Sequence, residues 1–214
     1  MITRFISALL VVSGALLAAQ TSAPVPGVVA HPNDLGFSYS LPADWEVKDM
    51  APAVPLMHQQ LEKDATASDE KKAASCVQIP LMATHGMPRS VVEVVTIAFD
   101  CFGQQFVDKD LPGFGMGVAG GLKKSFTISD PLYGAYSIGA HSVWIERATG
   151  TLISRPEMKY TVETVCSLLK KGAVCWTAMA VDDAALHTFE QGAVELDGER
   201  SPVLVPANAF PKQP

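Results

Sequence analysis

Hydrophobic and polar positions alternate with a period of two over much of this chain, and recur every fourth residue over one stretch. Phe37, Tyr39 and Leu41 alternate with Ser38 and Ser40, and the alternation restarts at Trp45-Glu46-Val47. Pro42-Ala43-Asp44 between them reads as a tight turn. The stretch LGFSYSLPADWEV therefore predicts a small hairpin with Trp45 laid over its turn. Trp45 is expected to close the edge of the core, with stacking on a ligand as the alternative role.

Leu56, Gln59, Gln60 and Lys63 allow a short helix, and Asp64 to Lys72 reads as a solvated excursion with almost no apolar residue. CVQIPLMA and SVVEVVTIAFDCF then form two apolar runs, joined through Gly86 and Pro88. The second run is apolar at both odd and even positions, the pattern of a central strand buried on both sides. Phe114, Val118, Leu122 and Phe126 sit four apart and predict one helical stripe. Gly115, Gly117, Gly120 and Gly121 weaken that helix by up to about 1 kcal/mol each against Ala, so it must lean on tertiary packing. From Pro131 to Val181 the period returns to two. SVWIERA alternates, Thr149-Gly150 reads as a turn, and Lys170-Lys171-Gly172 separates the two halves of a hairpin. Asp182 or Asp183 can cap a last helix running to about Gln191, with Leu186 and Phe189 as its apolar face.

Strands, a helix, a block of strands and a closing helix describe an α+β domain. The natural packing is a mostly antiparallel β-sheet flanked by helices. The expected organisation is a single domain over residues 34–205, preceded by a flexible Pro-rich leader over 20–33 and followed by a loose tail over 206–214, where three prolines fall in nine residues.

The N-terminus changes the picture from fold to destination. One basic residue, Arg4, precedes an apolar run from Phe5 to Ala19 that is shorter than the roughly 20 residues needed to span a bilayer as a helix. A short basic head, a short apolar core and small residues at its end describe a secretory signal peptide over residues 1–19, with an uncleaved N-terminal anchor as the alternative. Cleavage after Ala19 leaves Gln20 first; cleavage after Ala23 would put Pro24 just past the cut. The mature chain is then extracytoplasmic, periplasmic or secreted, with no transmembrane segment of its own.

The whole chain carries 16 basic and 22 acidic residues, a net charge of −6. It has no basic patch or Arg-rich run, so electrostatic binding to nucleic acid or anionic lipid has no visible basis. All four cysteines, Cys76, Cys101, Cys166 and Cys175, lie beyond the signal peptide. An even count in an exported chain points to disulfides, with buried thiols or a redox pair as alternatives. If the loop before Gly172 holds four residues, residue 168 pairs with 173 and Cys166 faces Cys175. If it holds three with a Gly bulge, Cys166 faces Trp176 and Cys175 points to the other side of the sheet. Cys76 and Cys101 fall near the outer ends of the earlier hairpin and could also meet.

Candidate chemistry is sparse. Gly115-Met116-Gly117-Val118-Ala119-Gly120 matches GxGxxG, but VDKDLPGF before it is no buried strand and no ribose-binding acid follows at the right distance, so it reads as a Gly-rich helix packed close to the sheet. The histidines His31, His58, His85, His141 and His187 share no metal-binding spacing. His187 beside Glu190 reads as a surface pair. Ser125 and Ser129 near Lys123 and Lys124 stand in the wrong order for Ser-x-x-Lys, and there is no GxSxG or CxxC. Asp182-Asp183 reads as a helix cap and Glu195 with Asp197 as an exposed turn. No catalytic, cofactor-binding or metal-binding residue is named from the sequence, and no cofactor is expected.

The opening Leu35-Gly36-Phe37-x-Tyr39-x-Leu41-Pro42-x-x-Trp45 resembles the start of the PsbP and DcrB-like exported proteins, and the order of elements over residues 34–200 is similar to theirs. The resemblance implies an α/β/α sandwich around an antiparallel sheet. It also implies a non-catalytic accessory or binding role with a protein or envelope partner; it brings no binding residue with it. The alternatives are an exported thiol-redox or hydrolytic enzyme whose site assembles only in space, and a small-ligand binding module with its pocket between the Gly-rich helix and the sheet.

Overall fold

The computed structural model describes residues 28–30, 35–41, 44–64 and 74–211. The expected signal peptide with its Ala19 junction, His31 and most of the polar excursion before Ala74 lie outside the described residues. The strands are β1 (Val28–Ala30), β2 (Phe37–Leu41), β3 (Glu46–Val47), β4 (Val77–His85), β5 (Ser90–Ala98), β6 (Phe126–Ile138), β7 (His141–Leu152), β8 (Lys159–Leu168), β9 (Gly172–Ala180), β10 (Val194–Leu196) and β11 (Glu199–Ser201). The helices are α1 (Val54–Asp64), α2 (Phe99–Phe102), α3 (Leu111–Gly121) and α4 (Asp183–Glu190).

The fold is α+β. Seven antiparallel strands form the main sheet in the order β3-β4-β5-β9-β8-β7-β6, and β1-β2-β10-β11 form a smaller one. The chain folds this way because its apolar runs differ in period. β5 and β9 are buried along almost their whole length and occupy the middle of the main sheet. One face packs against α1 and α3 through Met57, Phe114, Val118 and Leu122. The opposite face packs against the small sheet and α4 through Phe37, Tyr39, Trp176, Leu186 and Phe189. The layer on that side is thus a helix and a sheet together, not helices alone.

The opening motif is not a hairpin. β2 joins the small sheet, pairing with β1 and β10, whereas β3 pairs with β4 in the main one. β2 and β3 therefore lie in different layers. The aromatics of β2 explain why: Phe37 and Tyr39 both meet Trp176 of the main sheet edge-on, at 5.8 and 6.1 Å between ring centroids. β2 is therefore more useful as a cover than as a partner of β3. Gly36, at φ +81°, lies so close to Asp197 that a Cβ would stand 2.5 Å from its Oδ1. The motif's glycine is required by both the turn and the close approach.

Five further expectations are corrected. α3 ends at Gly121, a 3₁₀ turn follows, and Phe126 opens β6, although it still packs into the same core as Phe114 and Val118. β6 thus begins before Pro131, which sits at a bulge between Ser129 and Leu132 where Asp130 has φ 54°. A bulge is where a strand tolerates proline. Thr149-Gly150 is no turn but the interior of β7, and a Cβ on Gly150 would stand 2.6 Å from Val162 Cγ2. That glycine serves close packing. The tail is docked as far as Phe210: Leu204, Val205 and Ala209 are buried in the core beneath the small sheet, and Phe210 packs against it. The ordered domain also begins before Asp34, since Val28–Ala30 of the expected leader pair with β2 as a strand.

Candidate functional site

Cys166 and Cys175 stand opposite each other in the β8–β9 register, which adopts the four-residue loop with Leu168 opposite Ala173. They form one disulfide, and Cys76 with Cys101 form the other. Two such bridges fit an oxidising compartment. Among the described residues no helix is long and apolar enough to cross a membrane. The Cys166–Cys175 bridge is sealed in the core, whereas Cys101 of the other reaches the surface.

Trp45 is buried, its ring 5.4 Å from that of His85. This fits the folding role better than ligand stacking. The glycine motif lies within α3, and a Cβ on Gly115 would stand 2.1 Å from Trp144 Cε3 of β7. Four histidines are described, and each has its own local role. His58 Nε2 donates to Val77 O and His141 Nδ1 to Leu168 O. His85 pairs with Asp44 and His187 with Glu190. Asp182 caps α4 by accepting from Ala185 N at 2.8 Å. Glu195 pairs with Arg200 near the surface, but Asp197 is not an exposed turn residue: its carboxylate is largely covered, accepts from Lys170 N and lies 3.5 Å from His141 Nε2.

Sequence reasoning missed two constellations. The first lies between the main sheet and its small-sheet cover. Arg147 on β7 donates from Nε to Glu163 on β8 at 2.5 Å and from Nη2 to Glu190 on α4, and its guanidinium lies 4.5 Å over the Phe210 ring. Burial pushes Glu163 up to about 7, against the pull of Arg147 and with the push of Glu190. Tyr136 donates its hydroxyl to Leu204 O at 2.5 Å. Burial and the two carboxylates raise its phenol well above the usual range. The cluster bolts α4 and the tail onto the sheet.

The second lies on the helix-covered face. Register places Glu93, Thr177, Thr164 and Glu146 side by side across β5, β9, β8 and β7, with Tyr133 of β6 next in line. Glu93, Thr164 and Thr177 are each 1 % exposed. Among the described residues, Glu93 Oε1 and both threonine hydroxyls have no hydrogen-bond partner. Burial pushes Glu93 up to about 7.

The two edges of the main sheet also differ. The β3 edge is two residues long and flanked by charge: Lys48 lies 2.5 Å from Glu46 and holds that carboxylate below its usual range. The β6 edge runs for 13 residues. Its second half, Leu132–Ile138, holds no charged residue, and Tyr133 there is 47 % exposed. Among the described residues no strand pairs with its outer side. Long uncharged edges present unpaired backbone N–H and C=O groups to any extended chain, and most proteins blunt them. Asp130, Pro131 and the bulge blunt only the first half.

No protein-family model matches this chain, and no curated protein matches it.

Proposed function

We propose that this chain is an exported, non-catalytic binding protein, periplasmic or secreted, that takes an extended segment of a protein partner along the outer edge of β6. The observation that carries the reading is the uncharged half-strand Leu132–Ile138, whose outer side pairs with no described strand, with Tyr133, Ala135 and Ser137 exposed along it. Added strands gain affinity from main-chain hydrogen bonds and specificity from alternate side chains. Tyr133 supplies the aromatic anchor such edges use. The signal-like N-terminus and the two disulfides support export, and the PsbP-like opening motif supports an accessory role in the envelope.

A photo-crosslinking residue at position 133 tests the edge. It is expected to capture a partner in the native host that the same residue at Leu56, exposed on α1, does not. Ala135→Lys should weaken that capture about tenfold or more, because a charge at the edge obstructs strand addition. Equal capture from both positions would overturn the reading. Export has its own readout: the intact mass of the secreted protein should begin at Gln20 and show no alkylatable thiol.

A further inference from the structure

Glu93, Thr177 and Thr164 form a line of polar groups inside an otherwise apolar face. On one side of the line run Trp144, the Cys166–Cys175 disulfide and Val95; on the other run Ala148, Val162, Met179 and Val91. Buried polar groups without a partner are rare in folded proteins, and three in consecutive cross-strand positions need a cause. Packing does not supply one, because valine would fill either threonine site without a hydroxyl to satisfy. Nor does charge pairing, since burial acts on Glu93 and, among the described residues, no basic side chain pulls against it.

The location suits a ligand. α1 packs on β4, α3 on β7 and β8, and α2 on the Ala98–Gly172 end of β5 and β9, so Glu93 and Thr177 lie between α1 and α3, several residues along from α2. Ligand sites form preferentially at such helix seams. The line also leads outward: Thr164 is followed by Glu146, half-buried and attracted by Lys123, and then by exposed Tyr133.

We infer that this row is a binding site for a small aliphatic primary ammonium, its N–H donors on the Glu93 carboxylate and the Thr177 hydroxyl, with a neighbouring hydroxyl of the ligand reaching Thr164. An ammonium carries three donors and no acceptor, and an ionised carboxylate accepts only. Cross-strand neighbours stand about 5 Å apart at Cβ, so a chain two or three bonds long matches the step from Thr177 to Thr164. The ammonium supplies the positive charge that the buried carboxylate lacks.

Ethanolamine is the probe, added to the oxidised protein at pH 8, with calorimetric titration and melting temperature as readouts. Ethanolamine should bind saturably and raise the melting temperature, ethylammonium should bind more weakly, and tetramethylammonium and ethylene glycol should do neither. Glu93→Gln should weaken ethanolamine binding about tenfold or more, the value of one charge-assisted hydrogen bond. Thr177→Val should weaken it by a smaller factor and provides the decision if the Glu93 variant does not fold. No saturable binding of ethanolamine, equal binding of tetramethylammonium, or undiminished binding by the variants would each overturn the site. The β6-edge variant Ala135→Lys should leave ethanolamine binding unchanged, which separates this site from the partner surface.

Discussion

Glu93 and Glu163 are buried on opposite faces of one sheet, and burial pushes both up to about 7, yet their surroundings have little in common. Glu163 sits against a guanidinium that also holds Glu190 and stacks on Phe210. Glu93 sits beside the Thr177 hydroxyl, which does not bond to it, and among the described residues no basic side chain pulls on it. The difference teaches that a perturbed carboxyl has two meanings. On the small-sheet side it belongs to a structural bolt, where desolvation is offset by an ion pair and by docking of α4 and the tail. On the helix side no described residue offsets it, so that side is where a ligand would act.

The largest expected effect comes from removing the bolt. Arg147→Ala leaves Glu163 and Glu190 buried without their cation and should cost about 3–5 kcal/mol, read as a drop in the urea midpoint at pH 7. Loss of the tail's protection from proteolysis should accompany it. Comparable destabilisation by Glu163→Gln alone would mean that the bolt depends on that carboxylate more than on Arg147. Glu93→Met should act in the opposite direction. It replaces an unpaired buried carboxyl with an apolar chain of similar length and should stabilise by roughly 1–3 kcal/mol at pH 8. A loss of stability there would show that Glu93 has a partner after all.

The pH dependence separates the two residues more finely. Both carboxyls have folded values raised above their ordinary 4.5, so the folded state holds more protons than the unfolded one between about 4.5 and about 7. Their contribution to stability is complete below the unfolded value, falls as pH rises through this window and is flat above it. Glu93→Gln and Glu163→Gln should each flatten part of that fall. Arg147→Ala should move the Glu163 titration upward and leave that of Glu93 in place, a difference measurable from side-chain carboxyl NMR shifts. The smallest effect is expected from Phe210→Ala, which removes the ring over Arg147 and should cost about 1 kcal/mol for the cation–π contact, plus the modest packing of a half-buried ring.

Much of the scaffold was legible in the residues. The doubly apolar run SVVEVVTIAFDCF announced a central strand, and β5 is one. Asp182 could be named as a cap because capping is a local event. The two cysteine pairs were within reach because hairpins bring chain neighbours together, although only the register chose between facing and splayed Cys166 and Cys175. Errors arose where a local signal competed with a distant partner. Pro42 looked like a hairpin turn, but Phe37 and Tyr39 were drawn to Trp176, more than 130 residues away in the chain. Gly150 looked like a turn because nothing nearby revealed Val162 pressing on it. The candidate sites were harder still. Glu93, Arg147 and Glu163 each look like the polar member of an alternating strand, and alternation alone assigns such residues to solvent.

The sequence by itself determined the α+β class, the antiparallel character of the main sheet and the positions of the Gly-rich and closing helices. Those depend on periodicity and on the chemistry of adjacent residues, which act over a few bonds. It also supplied the signal-like leader and the even set of cysteines. Tertiary structure decided which face each odd charge entered, which strand remained an open edge, and how far the tail was drawn into the core. These outcomes depend on register and on burial of both sides of one sheet. A one-residue shift of β5 or of β8 would have moved its glutamate to the opposite face of the sheet.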